Sequence, residues 1–583
     1  MASALLQFWL PPVSFPLAAY DRYDAEAITR YYRRRPWLAI ARLSVIFWNF
    51  LGFGWRLLWD QRQQAGDAHL PERAAELRQI LTNLGPTFIK AGQALSTRPD
   101  LVRVDFLDEL TKLQDQLPPF PNDQAFEIMA EELGRPVSQS FEELSPEPIA
   151  AASLGQVYKG KLFSGETVAV KVQRPNLLPT ITLDLFLIRW AATWFGSLLP
   201  LNLGHDLTLI VDEFGYKLFE EIDYENEGRN AERFAENFRD CPYVKAPKIY
   251  WAFSSRHVLT LEWIDGVKLT AAAELDQLGI NADAVVKTGV ISGLQQLLEF
   301  GFFHADPHPG NLFALPSSPR PDGLGCMAYI DFGMMDQLDQ LTKETLVDAV
   351  VHLINRDYVE LAQDFITLGF LTPDSDLTPI IPALESVLGD IMGEKVRDFN
   401  FKTITDRFSE LMYDYPFRVP AKFALIIRSL VTQEGLALSV NPDFRIVDVA
   451  YPYIAKRLLQ GESPQLRRRL LEVLVKDGKF RWNRLENLIA IAQNDGGFDL
   501  LPTAQMGLQY LFSDEGAYLR NQLLLALTEN ERLQTEPLQR LWELLRPELE
   551  PARVAGHAFN AFVAFSRDRA AAFFPTLALE SNR

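Results

Sequence analysis

The sequence predicts an α+β fold made of two lobes, a small one rich in β-strands and a larger helical one. An apolar run from Thr167 to Gln173 has the composition of a buried β-strand. A second such run, residues 257–262, continues into a linker that ends at Gly266. Closer to the C-terminus, apolar residues recur at helical spacing in 466–474. We therefore expect strands first and helices afterwards, with helical extensions at both ends of the chain.

The most informative motif runs from His304 to Asn311 and is followed, twenty residues after Asn311, by Asp331-Phe332-Gly333. In this spacing Asp306 is expected to hold or deprotonate the group that attacks the γ-phosphate of ATP. Asn311 and Asp331 offer the oxygen ligands that Mg²⁺ prefers. The two histidines of the motif, His304 and His308, are expected to form hydrogen bonds within the loop. The sequence therefore predicts a bilobal, protein-kinase-like fold that binds ATP and Mg²⁺.

Further parts of such a site lie upstream in the expected order. Lys171 lies in the predicted strand Thr167 to Gln173 and is expected to contact the phosphates. Glu227 is the predicted carboxylate partner of this lysine, with Glu221 and Asp223 expected on the same helix. The alternative is that these carboxylates form a solvated acidic helix face. Glu262, just before the Gly-ended linker, lies where backbone groups would meet the adenine.

The glycine-rich loop that usually covers the phosphates is replaced here by an alanine-rich one. Before the lysine strand the chain has Ala150, Ala151, Ala152 and Ser153. Alanine restricts positive φ and the close backbone approach that glycine allows. We therefore expect these four residues to hold the phosphates in a different way, although such a run taken alone is typical of a helix start.

Several motifs, taken together, resemble those of the UbiB/AarF/ADCK atypical kinases of the bacterial or plastid type. The motifs are Lys90-Ala91-Gly92-Gln93, residues 96–101, residues 113–115, the alanine-rich loop, Val168 to Lys171, Glu221-x-Asp223, His304 to Asn311 and Asp331 to Gly333. The resemblance covers roughly residues 20 to 450. It implies that a helix carrying Lys90 and Gln93 folds over the active site, where Lys90 meets Glu221 and Asp223.

The resemblance also implies a function. This helix would occupy the groove in which a protein kinase binds its peptide. Members of the family look like ATPases or small-molecule kinases that support prenylquinone biosynthesis or lipid homeostasis, with a lipid or prenylquinone precursor and quinone-synthesis proteins as partners. Two alternatives stay open at this point. One is a protein kinase, and the other is a nucleotide-binding pseudoenzyme scaffold for a quinone-synthesis complex.

Composition excludes some other classes of function. The chain of 583 residues carries a formal net charge of −19, which disfavours nucleic acid as a partner because phosphate backbones attract basic surfaces. Its two cysteines, Cys241 and Cys326, form neither a ligand-like cluster nor a disulfide framework. This cysteine usage is compatible with a reducing compartment. The N-terminus shows no secretory signal.

Membrane contact is expected near the N-terminus. Four arginines between residues 30 and 35 precede an uncharged apolar run of residues 43–55, which is shorter than the roughly 20 residues that a spanning helix needs. Basic residues beside several tryptophans and phenylalanines in 37–59 suit a helix lying in the headgroup plane. Alternatively, these aromatic residues pack on the kinase-like domain. The aromatic stretch 559–574 is interrupted by charges and is not expected to span a membrane.

Five segments follow from these placements. They are an amphipathic membrane-proximal leader (1–65), a helical extension with the Lys-x-Gly-Gln motif (66–145), a small lobe (146–266), a helical lobe (267–455) and a C-terminal helical extension (456–583). Residues 428–435 are interpreted as structural. The predicted location is the cytoplasmic side of a bacterial inner membrane or thylakoid membrane, or a plastid.

Overall fold

A computed structural model describes the greater part of the chain. The described residues are 22–63, 69–96, 102, 104–110, 112–113, 118–195, 207–316, 325–354, 356–389, 415, 417–460, 470, 474–476, 479–493, 528–529, 532–533 and 539. The chain divides into two compact units, residues 1–346 with 362–444 and residues 347–361 with 445–583. The predicted motif residues 97–101 and 114–115 and the aromatic stretch 559–574 lie outside the described residues.

Helices precede the first sheet of unit one. They are α1 (Ala25–Arg33), α2 (Pro36–Arg62), α3 (Leu70–Leu84), α4 (Pro86–Leu95), α5 (Val104–Leu110), α6 (Asn122–Leu133) and α7 (Val137–Ser140). The small lobe follows with β1 (Glu143–Leu144), β2 (Ala150–Ala151), β3 (Gly155–Lys161), β4 (Thr167–Gln173), α8 (Leu177–Phe195), α9 (Leu207–Glu221), α10 (Tyr224–Asn237), β5 (Val244–Lys245) and β6 (Val258–Glu262). This order of strands and helices matches the α+β class that the sequence predicts.

The sheet of the small lobe fixes where Lys171 points. Strands β1, β3, β4 and β6 are neighbours in that order, β2 also pairs with β3, and all pairs are antiparallel. Successive side chains of a strand alternate between faces, so Val168, Val170 and Val172 enter one buried core with Met129 of α6. Lys171 therefore lies on the opposite face, the one toward α10.

The three acidic residues predicted on one helix do not share a helix, since Glu221 and Glu227 lie on different helices and Asp223 lies between the two. Glu221 ends α9, whereas Glu227 lies in the first turn of α10. The chain breaks between them because the Asp223 carboxylate accepts hydrogen bonds from the backbone N–H groups of Glu225 and Asn226, at 3.0 and 3.1 Å, and so caps α10. The prediction of a single helix is therefore wrong.

Unit one continues into the helical lobe. Its elements are β7 (Val267–Lys268), α11 (Ala272–Gln277), α12 (Ala282–Gln295), a π-helical turn (Gln296–Phe300), β8 (Phe302–His304), β9 (Leu312–Leu315), β10 (Cys326–Tyr329), β11 (Met335–Gln337), α13 (Gln340–Ile354), α14 (Tyr358–Thr367), α15 (Ile380–Gly389) and α16 (Ala421–Val440). One small sheet has the order β5-β10-β9-β7, and β8 pairs with β11. The motif from His304 to Asn311 lies between two of these strands, since β8 ends at His304 and β9 begins directly after Asn311. Helices α13 and α14 each cross the boundary between the two units.

The remaining described elements belong to unit two. They are α17 (Ile446–Gln460), β12 (Val475–Lys476), β13 (Lys479–Phe480), α18 (Trp482–Gln493), β14 (Thr528–Glu529) and β15 (Arg532–Leu533). Helix α17 packs against α18, and Arg484 Nη2 donates to Asp357 Oδ2 at 2.9 Å.

Helix α2 has two faces with different surroundings. Residues spaced three or four apart point outward, and the exposed large apolar side chains among them are Trp37, Ile40, Leu43, Phe47, Trp48, Leu51, Trp55, Leu58 and Trp59. On the opposite face Phe53 is buried against α3 and α4, and Phe50 packs beside it. Packing on the fold, one of the two alternatives raised by the sequence, is therefore seen on one face of α2, and membrane contact through the exposed face stays a prediction.

The length of α2 also corrects an expectation. Residues Pro36–Asp60 form a helix long and apolar enough to cross a membrane by length and composition, as does Lys422–Val440. The uncharged run of residues 43–55 therefore underestimated the length of this apolar helix. In the most apolar 18-residue stretch of each helix, 11% is buried in Pro36–Asp60 and 44% in Lys422–Val440. Helix α2 is therefore the more exposed of the two.

A buried ion pair anchors α2 to the fold. Arg42 Nε and Nη2 donate to the two carboxylate oxygens of Asp184 on α8, at 2.7 and 2.9 Å. Arg42 Nη2 also donates to the carbonyl oxygen of Leu84 at 2.7 Å, one residue before the loop into α4. Because Leu84 ends α3, the Arg42 side chain joins α2, α3 and α8.

Arg42→Met is expected to destabilise the protein strongly. Removing one partner of a buried pair leaves the other charge uncompensated, which costs about 3–5 kcal/mol of unfolding free energy. Thermal unfolding of the full chain measures the effect. Arg56→Met on the same helix breaks a half-exposed pair with Glu76 and should cost less than about 1 kcal/mol. Equal losses in the two variants would contradict the anchoring role of Arg42.

Candidate active site

Lys171, Glu227 and Asp331 meet in the cleft of unit one. Lys171 Nζ forms an ion pair with Glu227 Oε1 and lies 3.9 Å from Asp331 Oδ2. Burial alone would lower the pKa of Lys171, but the carboxylates of Asp331 and Glu227 outweigh it and raise that pKa. The lysine is therefore a fixed ammonium, which a glutamate from α10 holds beside Asp331.

The Asp331-Phe332-Gly333 segment is tied to α10. The Phe332 ring is buried, with its centroid 5.1 Å from that of Phe234. Glu227 Oε1 accepts from the Phe332 backbone N–H at 3.4 Å, and Asn230 Nδ2 donates to the Phe332 carbonyl at 3.1 Å. Because the phenylalanine is held inward, the neighbouring Asp331 carboxyl faces the cleft.

Asp331 has the properties of a metal ligand. Its side chain is 39% exposed, and Gly333 N–H donates to Oδ1 at 3.0 Å. Partial burial opposes ionisation, but the Lys171 ammonium and the Gly333 amide overcome it and lower the pKa of Asp331. The carboxylate is therefore charged at neutral pH.

Asn311 is held beside the strand that leads to Asp331. Residues Pro309–Asn311 form a 3₁₀ turn, and the Asn311 carbonyl accepts from Ile330 N–H at 3.1 Å. Within the described part of the chain, no group of three or more His, Cys, Asp or Glu residues could hold a metal. One carboxylate and one amide oxygen fit Mg²⁺, which is commonly held by one or two protein ligands together with substrate phosphates.

His304 connects the two halves of the motif. Its Nδ1 accepts from the backbone N–H of Asp306 at 3.1 Å, so Nε2 carries the proton that is donated to the Asp331 carbonyl at 2.8 Å. Burial lowers the pKa of His304, which keeps the ring neutral and this tautomer in place. His308 Nδ1 accepts from Gly310 N–H at 3.1 Å. Both histidines thus order the loop, as the sequence suggests.

Arg428 is a site residue that the sequence interpretation missed. It lies on α16, in the segment interpreted as structural, and its Nη2 donates to Asp306 Oδ2 at 2.6 Å. Both side chains are mostly buried, at 13% and 21% exposure. A charged residue in the middle of a largely apolar helical run is the signal that could have indicated it.

The alanine-rich loop does not start a helix. Ala150 and Ala151 form β2 opposite Val157 and Gln156, and Arg174 Nε and Nη2 donate to the Ala152 carbonyl at 3.0 and 2.9 Å. The buried Ser153 follows in the turn to β3. The loop therefore has a defined strand-and-turn shape over the edge of the lysine strand.

Gly155, which ends this turn, has no room for a side chain. A Cβ built on Gly155 would overlap the hydroxyl of Tyr224 and the carbonyl oxygen of Val172. Close backbone approach is thus kept at Gly155, where the loop meets α10 and β4.

Helix α4 places Lys90 beside Glu221, at the end of α9. Lys90 Nζ forms an ion pair with Glu221, and both side chains are largely buried, at 7% and 13% exposure. Its positive charge also contributes to lowering the pKa of Asp331. Gln93 Nε2 donates to the Leu113 carbonyl at 3.1 Å, which fixes the helix to the segment that follows α5. Asp223, expected beside Lys90, instead has its carboxylate engaged as the N-cap of α10.

Glu262 ends β6 at the entrance to the linker. Its carboxylate pairs with Lys245 and accepts from Lys248 N–H at 3.2 Å. The side chain therefore joins the end of β6 to β5 and to the segment that follows β5. An adenine contact in this region would fall to the backbone of residues 262–266.

Comparisons with known proteins identify two family domains in this chain. The ABC1 atypical kinase-like domain matches residues 112–365, and the UbiB helical domain matches residues 384–445. The second match places Arg428 in a named domain of the family. The predicted kinase-like α+β fold and the predicted resemblance are thereby confirmed.

Relatives extend the similarity over most of the chain. An uncharacterized protein of Synechocystis sp. is 63% identical over 96% of this chain and 97% of its own. ACTIVITY OF BC1 COMPLEX KINASE 1, a chloroplastic protein of Arabidopsis thaliana, is 46% identical over 88% of this chain and 76% of its own. ACTIVITY OF BC1 COMPLEX KINASE 3, from the same organism and also chloroplastic, is 45% identical over 88% and 70%. The chain therefore belongs to the ABC1 atypical kinase family.

Proposed function

We propose that the protein transfers the γ-phosphoryl group of ATP, with Mg²⁺, to water or a small hydroxyl acceptor in prenylquinone or lipid metabolism at a membrane. The observation that carries this proposal is the assembled cleft. Lys171 is paired with Glu227, Asp331 is ionised beside them, and His304 joins Asp331 to Asp306. Such a preorganised arrangement favours phosphoryl transfer because catalysis there is mainly positioning and electrostatic stabilisation.

Each residue of the cleft has a role in this proposal. Lys171 binds the nucleotide phosphates, while Asp331 and Asn311 hold Mg²⁺, which neutralises charge that develops on the phosphates. Asp306 accepts the proton of the attacking hydroxyl. The backbone of the alanine-rich loop, Ala150 to Ser153, covers the phosphates from the small lobe.

The position of α4 favours a small acceptor over a peptide. The ion pair of Lys90 with Glu221 ties this helix to the end of α9, and the helix lines one cavity together with Ala305, the residue before Asp306. We propose that it acts as a lid across the groove that a protein kinase leaves open. A protein-kinase activity would require this buried ion pair to open.

The exposed apolar face of α2 supports membrane contact. Tryptophans at both of its ends, Trp37 and Trp59, and in its middle, Trp48, point outward at 61%, 52% and 70% exposure. Indole rings favour the interface between headgroups and acyl chains. Since relatives are cyanobacterial and chloroplastic, we propose a bacterial inner membrane, a thylakoid membrane or a plastid as the setting, with prenylquinone precursors and quinone-synthesis proteins as partners.

ADP release by the purified full chain tests the proposal. We expect Mg²⁺-dependent release that increases with anionic vesicles, and Asp306→Asn should lower it by about 100-fold or more, since a positioned base contributes that much. A generic acceptor protein should remain unphosphorylated. Phosphorylation of that protein would indicate a protein kinase instead. Magnesium-dependent thermal stabilisation without ADP release would indicate a scaffold.

A further inference from the structure

An apolar cavity of about 230 Å³ lies beside the catalytic loop in unit one. Helices α4, α9 and α16 form most of its walls, and Ile188 of α8, Ala305 and residues 333–335 line the rest. Ala305 directly precedes Asp306, and Gly333 is the last residue of the Asp331-Phe332-Gly333 segment. The cavity is therefore lined by the two segments that carry the expected base and the expected metal ligand.

The walls of the cavity favour an apolar ligand. Aliphatic, aromatic and thioether side chains dominate the surface, among them Ile188, Ile210, Phe214, Met334 and Leu425. An apolar cavity of about 150 Å³ already takes up benzene. The volume here is sufficient for a substituted ring or a short hydrocarbon chain, and burial of that apolar surface would drive binding.

The charged groups of the lining favour a ligand without net charge. The lining carries three cations and three carboxylates, the latter from Glu213, Glu220 and Glu221, so its formal charges balance. Each cation pairs with a carboxylate, and Lys217 also pairs with Glu220 at 3.2 Å. The pairs are Lys90 with Glu221, Lys217 with Asp336 at 3.3 Å, and Arg428 with Asp306 at 2.6 Å. A charged ligand would bring an uncompensated charge into a partly desolvated site, which is costly, whereas a hydroxyl can share an existing carboxylate.

We propose that this cavity is the acceptor site and binds an uncharged apolar molecule with one hydroxyl group at the Asp306 end. This inference rests on the proposed function and specifies its acceptor. The Asp306 carboxylate accepts the hydroxyl proton, the hydroxyl oxygen forms a bond to the γ-phosphorus, and the bond from that phosphorus to the β,γ-bridging oxygen breaks. ADP leaves with the electron pair, and Asp306 later releases the proton to water.

Direct binding to the full chain, without nucleotide, tests the ligand class. Octanol is the uncharged probe and octanoate is the matched charged one, both followed by ligand-observed nuclear magnetic resonance. We expect saturable octanol binding and at least about tenfold weaker octanoate binding, equivalent to about 1.4 kcal/mol. Equal affinities, or no saturable octanol binding, would overturn the proposal.

Filling the cavity locates the binding site. Ala424→Leu and Leu425→Trp, two independent changes on α16, should each weaken octanol binding at least about tenfold while Mg·ATP affinity stays unchanged. Leu438→Trp on the same helix lies outside the lining and serves as the matched control. Unchanged octanol affinity in the filled variants that fold, as judged by intact Mg·ATP binding, would refute the assignment.

A transfer assay separates this inference from the proposed function. Octyl phosphate formed from ATP by the wild type, and lost in the filled variants, supports both. ADP release that continues while octanol fails to bind would overturn the acceptor site and leave ATP turnover standing. Octanol binding in the cavity with no ADP release at all would instead refute the proposed phosphoryl transfer.

Discussion

Asp331→Asn is expected to abolish the magnesium-dependent part of nucleotide binding. Mg²⁺ is a hard cation that dehydrates reluctantly, and a neutral amide replaces the charged oxygen donor that it requires. We expect the gain in ATP affinity on adding Mg²⁺ to fall by at least about 10–100-fold, the range known for weaker perturbations of metal sites. Isothermal titration of ATP with Mg²⁺ and with a chelator measures this difference.

The substitution leaves the local fold intact, which makes the result interpretable. An asparagine side-chain oxygen can still accept the Gly333 N–H that now binds Asp331 Oδ1. Asp376→Asn is the matched control, because Asp376 is exposed and its carboxylate caps Thr378 N–H at 3.0 Å, far along the sequence from the cleft. If Mg²⁺ still increased the ATP affinity of Asp331→Asn as much as that of the wild type, Asp331 would not be a ligand of the metal.

The sequence predicts the cleft well where geometry is local. Strand periodicity places Lys171 on the face opposite Val170, and the order of the motifs places the lysine strand before the segment from His304 to Asp331. The carboxylate partner, Glu227, is also correctly chosen. These features follow from repeating backbone geometry, so they can be predicted from one sequence.

Contacts between distant segments are what the sequence leaves open. Arg428 and Asp306 are 122 residues apart, and no periodicity links them. The break between α9 and α10 forms because the Asp223 side chain accepts hydrogen bonds from backbone amides. A run of acidic residues does not indicate which of them caps a helix. Helix α2 is similar, because only packing decides that Phe53 points inward and Trp48 outward.

Arg428→Gln is expected to impair turnover while sparing nucleotide binding. The guanidinium holds one oxygen of the Asp306 carboxylate at 2.6 Å, so that the other oxygen can face an acceptor. Such charge-assisted hydrogen bonds are strong, and the carboxylate loses its fixed direction when the cation is removed. We expect kcat for ADP release to fall about 100-fold, the lower range for positioned proton transfer.

The distribution of this loss between kcat and KM distinguishes positioning from a structural role. Lys171, not Arg428, is placed to bind the phosphates, so the KM for ATP should stay within about twofold and the loss should appear in kcat. Arg428→Lys keeps the charge but not the planar fork, and should recover part of the rate. Arg239→Gln, at an exposed surface pair with Glu236, should match the wild type. A parallel loss of ATP binding and thermal stability in Arg428→Gln would mean that the arginine only holds α16 in place.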